Sequence, residues 1–325
     1  MALSLLEGNE AVALAAMDAG CRFFAGYPIT PATTIYNYLL KHLPPSGGIC
    51  LQGEDEIASI GYCLGASMAG FKAMTATSGP GISLYSEQLS FAIGSEIPLV
   101  IVNVQRLGPS TGSATRGADG DINFMRWGNS GGQPVIVLAP TDIKDAYLLT
   151  IEAFNLAETY RCPVFLASNK EIAMTRESID LDAIQRPPIV ERTRAPEGQP
   201  YLPFNVSGSD SAPAFLPIGG QTLIRQTSST HGPDGYITTD SRVIQQMQSR
   251  LQQKLEATID TYTFYEDSGD PDSRTLVIAY GVTARAAKTA LNALDANGKP
   301  VRLLILKTLW PVPADLIARV AKKAK

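Results

Sequence analysis

The chain has 325 residues, is 45% hydrophobic and 18% charged, and carries a formal net charge of −4. That balance suits a globular protein with a substantial core, in two domains or one large one with an appendage. It argues against a nucleic-acid binder, no apolar run of about 18 residues is present to cross a bilayer, and MALSLLEGNE lacks the basic start of a secretory signal. A cytoplasmic enzyme is therefore the expectation. The four cysteines (Cys21, Cys50, Cys63, Cys162) form no CxxC pair, and the only histidines are His42 and His231. This is poor raw material for a zinc or iron–sulfur site or a histidine-dependent triad, and the cysteines read as small buried hydrophobes.

In chain order, Glu10 to Ala19 reads as an Ala-rich helix closed by Gly20, and Arg22 to Ala25 as a short strand. The rigid loop Gly26-Tyr27-Pro28-Ile29-Thr30-Pro31 leads into a helix running to about His42, with Pro31 suited to its first turn and Thr30 to its cap. Ile49 to Gln52 is the next strand. Helices are predicted over Ile57 to Ala69, Ser83 to Ile93 and Asp142 to Tyr160, and near Phe124. Strands are predicted over Lys72 to Thr77, Leu99 to Val104, Val135 to Leu138 and Val164 to Leu166. Strands that alternate with helices and are almost wholly apolar predict an α/β doubly wound parallel sheet. From Arg176 to Ser273 many prolines break the pattern, which predicts an irregular arm wrapped around a partner or another domain, with one helix from Ser241 to Ile259. His231 in this arm reads as a packed or solvated turn residue. A second, smaller α/β unit follows: a strand over Leu276 to Tyr280, a helix over Thr283 to Ala296, a strand over Val301 to Leu306, and a last helix after Leu309-Trp310-Pro311-Val312-Pro313, before a basic end at Lys322 to Lys325. Two strands make a poor sheet, so this unit is expected to be truncated or completed by other chains. The division is 1–175, 176–272 and 273–325.

The chain is organised around Gln52 to Gly81. Glu54, Asp55 and Glu56 open a helix where the dipole favours negative charge. That helix carries Gly61 and Gly65, each costing about 1 kcal/mol against Ala, which suggests a second backbone packed close. Ser78-Gly79-Pro80-Gly81 turns sharply at the carboxyl end of the following strand, where open α/β sheets place ligands. Taken singly, the acids read as capping and the glycines as a turn; together they suggest a site. The polar loop Arg106 to Asp121 leaves the same edge. On its residues alone, Arg106 reads as a surface cation paired with Asp119 or Asp121. A nicotinamide-binding reading is disfavoured, because no GxGxxG follows the first strand.

Several ordered stretches carry a resemblance: GYPITPAT (Gly26 to Thr33), GEDEIASIGYCLGASMAG, TATSGPG, VNVQRLGPSTGSATRGADGDINFMRWG and, more weakly, LVIAYGVTARAAKTAL and LWPVP. The chain resembles the α subunit of the 2-oxoacid:ferredoxin oxidoreductases, in the 2-oxoglutarate branch. The resemblance implies a thiamine diphosphate enzyme: residues 1–175 form the pyrimidine-binding half, and the terminal unit is transketolase C-terminal-like. A β subunit is implied for the diphosphate site, the Mg²⁺ and the [4Fe-4S] cluster, since Ala118-Asp119-Gly120-Asp121 is not the GDG motif of that half. A γ subunit is implied for coenzyme A, and ferredoxin as electron acceptor.

By motif position the resemblance assigns Glu56 to the aminopyrimidine ring, as a buried carboxyl able to share a proton, with Glu54 as its competitor. It assigns Thr30 and Arg106 to the substrate carboxylate, and Tyr27, Pro28, Ile29, Ser78 and Gly79 to the lining of the cofactor cleft. Arg116 is a weaker candidate for the second carboxylate of 2-oxoglutarate. Asp119 stands where many α subunits carry glutamine, which leaves room for a branched-chain or aryl 2-oxoacid, or pyruvate. A non-catalytic assembly subunit is the alternative of another class.

Overall fold

The computed structural model describes residues 3–324; Met1, Ala2 and Lys325, parts of the terminal segments considered above, lie outside the described residues. In chain order the elements begin with β1 (Ser4–Glu7), α1 (Gly8–Asp18), β2 (Cys21–Gly26), α2 (Thr33–His42), β3 (Ile49–Gln52), α3 (Glu56–Met68), β4 (Lys72–Thr77), α4 (Pro80–Leu84), α5 (Ser86–Gly94) and β5 (Leu99–Gln105). Next come α6 (Ile122–Trp127), β6 (Ile136–Leu138), α7 (Ile143–Tyr160), β7 (Pro163–Asn169), α8 (Lys170–Met174) and β8 (Arg176–Ile179). After the arm come α9 (Ser241–Glu256), β9 (Tyr265–Gly269), β10 (Leu276–Ala279), α10 (Gly281–Ala296), β11 (Arg302–Leu306), β12 (Thr308–Trp310) and α11 (Ala314–Val320).

The main sheet has the order β12-β6-β7-β5-β4-β2-β3, with every pair parallel except the antiparallel β12–β6 edge. Both faces are covered, so its central strands are apolar throughout. Met74, Ala76, Val100, Val102 and Val104 pack with α1 and α7 on one face. Ala73, Leu99 and Ile101 pack with α3 and α5 on the other. From β2 the chain adds β3 on one side and then crosses to add β4 on the other. The winding therefore reverses at β2/β4, and open α/β sheets place their ligand crevice beyond the carboxyl ends of the strands at such a reversal.

Thr30 does not cap the following helix and Pro31 lies outside its first turn, because α2 starts at Thr33 behind Ala32; three further expectations change. The terminal unit does not rest on two strands: β9, from the end of the arm, pairs antiparallel with β11 to complete a three-stranded sheet β10-β11-β9. Thr308–Trp310 is a strand that returns to the main sheet, which the apolar LW pair before proline concealed. The segment expected as one helix over Ser83 to Ile93 is split into α4 and α5 at Tyr85.

The arm wraps its own chain. The Arg192 guanidinium pairs with Glu158 at 2.5 Å and donates to the Ser67 and Phe71 carbonyls. Arg161 donates to the Pro213 carbonyl, and Ile218 N–H donates to Met68 O. His231 is a packed turn residue: its Nδ1 lies 2.7 Å from Ser229 O and its ring lies over Phe204. Cys21, Cys63 and Cys162 are buried, whereas Cys50 on the edge strand β3 is half-buried. Among the described residues no helix is long and apolar enough to cross a membrane.

Candidate functional site

The crevice at the β2/β4 reversal is lined from three directions. The loop after β2 brings Tyr27, Pro28, Ile29 and Thr30; Tyr27 and Thr30 are exposed, Pro28 and Ile29 half-buried. The turn after β4 brings Ser78 and Gly79. The start of α3 brings Glu56. Asp55 caps that helix by accepting the Ala58 N–H at 2.7 Å, so Glu56 occupies the first helical position, where an anion is favoured.

Burial separates the two candidate carboxylates. Glu56 is 6% exposed, whereas Glu54 lies on the surface. The Glu56 side chain runs against Gly81: a Cβ there would lie 2.7 Å from Glu56 Oε1 and 2.0 Å from Thr77 Oγ1. Only glycine leaves room for both groups.

Arg106 follows β5. It is 5% exposed and has no ion pair among the described residues, so the surface pairing with Asp119 or Asp121 is not what the fold builds. Its Nη1 donates to the Thr30 carbonyl at 2.6 Å and its Nη2 to Thr111 O at 2.9 Å. Gly79, at φ +55°, lets the guanidinium lie against the backbone; a Cβ would sit 2.5 Å from Nε. A buried guanidinium satisfied by carbonyls but not neutralised is costly, and an anion arriving from the crevice relieves that cost. The two acids turn elsewhere. Asp119 accepts from Asn169 Nδ2 at 3.2 Å, and Asp121 accepts from Asn103 Nδ2 at 3.0 Å. Burial raises both carboxyls above their usual range. Asp119 is therefore held by the end of β7 and does not crowd Arg106. Arg116 is exposed on the outer limb of the loop, joined to the rest by its carbonyl, which accepts the Leu107 N–H.

Of the ten buried side-chain polar atoms without a hydrogen-bond partner among the described residues, four belong to Thr77, Ser78, Asn103 and Arg106, at this one end of β4 and β5. Buried polar groups are normally paired by protein, ligand or ordered water, and these four fall together at the end of the sheet where the winding reverses. Thr77 and Asn103 were not singled out from the sequence. The available signal was an asparagine inside the otherwise aliphatic Leu99-Val100-Ile101-Val102-Asn103-Val104. The close contact expected against the glycines of α3 is not met within the chain: Gly61 touches only the Gln88 side chain, and Gly65 has open space.

A doubly wound parallel sheet with a buried acid, a buried unneutralised cation and unmatched hydroxyls at its reversal point defines an α/β protein whose candidate site lies where such sheets bind their ligands. The chain belongs to the pyruvate flavodoxin/ferredoxin oxidoreductase thiamine diphosphate-binding family, whose pattern matches residues 14–250. It is 39% identical to the 2-oxoglutarate synthase subunit KorA of Methanocaldococcus jannaschii, over 99% of this chain and 87% of that protein. It is 34% identical to the ketoisovalerate oxidoreductase subunit VorB of Methanothermobacter marburgensis, over 99% of this chain and 84% of that one. Among solved structures, the 2-oxoglutarate:ferredoxin oxidoreductase from Magnetococcus marinus, with 2-oxoglutarate, coenzyme A and succinyl-CoA bound, superposes with a TM-score of 0.93 at 35% identity. That match covers 99% of this chain but only 57% of the other. A split-gene transketolase matches in fold alone, at TM-score 0.52 and 13% identity.

Proposed function

We propose that this chain is the α subunit of a 2-oxoacid:ferredoxin oxidoreductase that uses coenzyme A and acts on 2-oxoglutarate. It would supply the pyrimidine half of a thiamine diphosphate cleft and part of the substrate pocket. The observation that carries the reading is that one turn after β4 holds both groups: a buried, unneutralised guanidinium against Gly79 and a buried carboxyl against Gly81. The residues fit the group: Glu56 offers a buried carboxyl, and the unpartnered Thr77 hydroxyl flanks the same glycine. Thiamine diphosphate supplies, when bound, a carbanion able to attack a 2-oxo carbonyl.

This chain's residues then do three things. Glu56, excluded from water, holds a proton at its carboxyl oxygen or accepts one there, facing the aminopyrimidine end. Arg106, fixed by two backbone carbonyls, keeps its Nε unbonded beside Gly79 and its charge available to a carboxylate. Thr30 leaves its hydroxyl exposed beside Arg106 as a donor to the same carboxylate. Tyr27, Pro28, Ile29, Ser78 and Gly79 form the walls. Arg116, exposed on the loop that follows Arg106, is the weaker candidate, retained for the distal carboxylate of 2-oxoglutarate, a group that 2-oxoisovalerate lacks.

The reading assigns the diphosphate, Mg²⁺ and [4Fe-4S] sites to a β subunit and coenzyme A to a γ subunit in a cytoplasmic heteromer, with ferredoxin accepting the electrons. The chain would divide into a pyrimidine domain to about residue 175, a connecting arm, and a terminal unit that takes in β9. The test is the native complex, purified and assayed for 2-oxoacid- and coenzyme A-dependent reduction of ferredoxin. The Glu56→Gln variant should assemble but turn over at least about a hundredfold more slowly. Unchanged turnover would leave the chain with an assembly role.

A further inference from the structure

Thr77 and Asn103 are register partners on the parallel strands β4 and β5. Their side chains share the face that carries Ala73, Leu99 and Ile101, and adjacent strands lie about 4.8 Å apart. Both residues are fully buried, and Thr77 Oγ1 and Asn103 Oδ1 each lack a partner. The orientation of the Asn103 amide is fixed, because Nδ2 donates to Asp121 and only Oδ1 is left free. Thr77 Oγ1 flanks the same point beside Gly81 as Glu56 Oε1. A threonine hydroxyl has one proton to give and lone pairs to receive, and it rotates to suit.

From this geometry, and resting on the role assigned to Glu56 above, we infer that Thr77 and Asn103 are positioning residues that support the Glu56 carboxyl in both of its protonation states. When Glu56 is ionised, the Thr77 hydroxyl donates to it, directly or through one ordered water. When Glu56 is protonated, the carboxyl donates to Thr77 Oγ1, and the hydroxyl turns to donate to Asn103 Oδ1. The proton stays on the carboxyl, and only the direction of the hydrogen bonds reverses. A side chain that must hold and release a proton without losing its place needs such two-way support. The other titratable groups near Glu56 keep their places. Tyr85 is held by the Thr75 hydroxyl at 2.9 Å and also lies beside Thr77 and Glu56, Arg106 is held by Thr30 and Thr111, and Asp121 by Asn103, while Glu54 and Asp55 belong to the same turn.

The inference is tested in the cofactor-stripped complex by infrared spectroscopy of the chain labelled with ¹³C-glutamate. Subtracting the Glu56→Gln spectrum isolates the Glu56 bands. At a pH where the wild type shows both bands, Thr77→Val removes the donor to the carboxylate and also the acceptor for the protonated form; the bond to the charged form is the stronger, so the protonated-to-ionised ratio should rise by roughly fivefold. Asn103→Leu, or Asn103→Ala if leucine misfolds, removes the acceptor that serves the protonated form, and the ratio should fall by roughly fivefold. Thr77→Ser should restore the wild-type ratio. Asp121→Asn, which keeps an acceptor for Asn103 Nδ2, controls for the charge on Asp121. Opposite shifts support the couple; shifts in one direction, or none, overturn it. Titrating thiamine diphosphate with Mg²⁺ into the wild-type complex by calorimetry tests the underlying reading separately. Absent binding there would sink the thiamine cleft without altering the infrared outcome.

Discussion

Glu96→Gln should uncouple the arm from the sheet. Glu96 lies between α5 and β5, is fully buried, and adopts φ +52°. Its carboxylate receives Arg250 through both terminal nitrogens, Nη1 at 3.0 Å, and Lys254 Nζ at 2.8 Å. Both cations belong to α9. Burial alone would raise this carboxyl, but Lys254 and Arg250 together outweigh it and hold it at about 2, against an ordinary value of 4.5. A depression of that size corresponds to about 3 kcal/mol of stability. An independent route gives the same scale: removing one member of a buried ionic cluster leaves its partners uncompensated, at about 3–5 kcal/mol. Urea unfolding at pH 7 should therefore show a loss of about 3 kcal/mol in Glu96→Gln. The pH dependence has a definite sign. A depressed carboxyl contributes fully above its unfolded value near 4.5 and loses that contribution as pH falls toward 2. The wild type should lose stability across that window, and Glu96→Gln should lack this part of the slope. A loss under about 1 kcal/mol, or parallel acid limbs, would refute the electrostatic argument for how α9 is held.

Arg106→Lys keeps the charge but removes the planar fork, and the KM for the 2-oxoacid in the complex should rise at least about tenfold, with kcat less affected. Gly79→Ala strains a left-handed backbone by about 1–2 kcal/mol and pushes a methyl into the guanidinium; thermal unfolding and substrate affinity should both worsen. Gly81→Ala should displace Glu56 and Thr77 together, so turnover falls in a chain that still assembles with its partners. Arg116→Gln should lower kcat/KM for 2-oxoglutarate by about tenfold while leaving 2-oxoisovalerate nearly unaffected; equal effects on both would remove Arg116 from the pocket.

The alternation of helices and apolar strands made the main sheet legible, because strands covered on both faces must be aliphatic whatever their order. What stayed hidden was pairing between distant segments. β9, Tyr265–Gly269, reads as YEDSG, a polar edge strand whose hydrogen bonds to β11 are non-local. β12 is three residues long and gains its place from Phe264 and β6, not from its own propensity. Arg106 could be placed at a strand end, but not whether it was neutralised. The sequence sets Asp119 and Asp121 within reach, and only the fold shows that Asn169 and Asn103 hold them aside.

On the proposed reading, those two diversions leave Arg106 available to a substrate carboxylate. Had Asp121 turned to Arg106, the cation would be compensated internally and the incoming carboxylate would face competition. Instead Asp121 fixes the Asn103 amide, Asp119 closes the loop onto β7, and Arg106 is left to backbone carbonyls that orient it without cancelling its charge. The same logic holds for Glu56, which the fold buries beside hydroxyls and keeps out of any ion pair among the described residues. Each unmatched group costs stability in the isolated chain. The buried ionic clusters at Glu96 and Glu158 lie away from the crevice and brace the arm that encloses the sheet. An uncompensated site of this kind is tolerable where a ligand, and a second chain to enclose it, supply the missing partners.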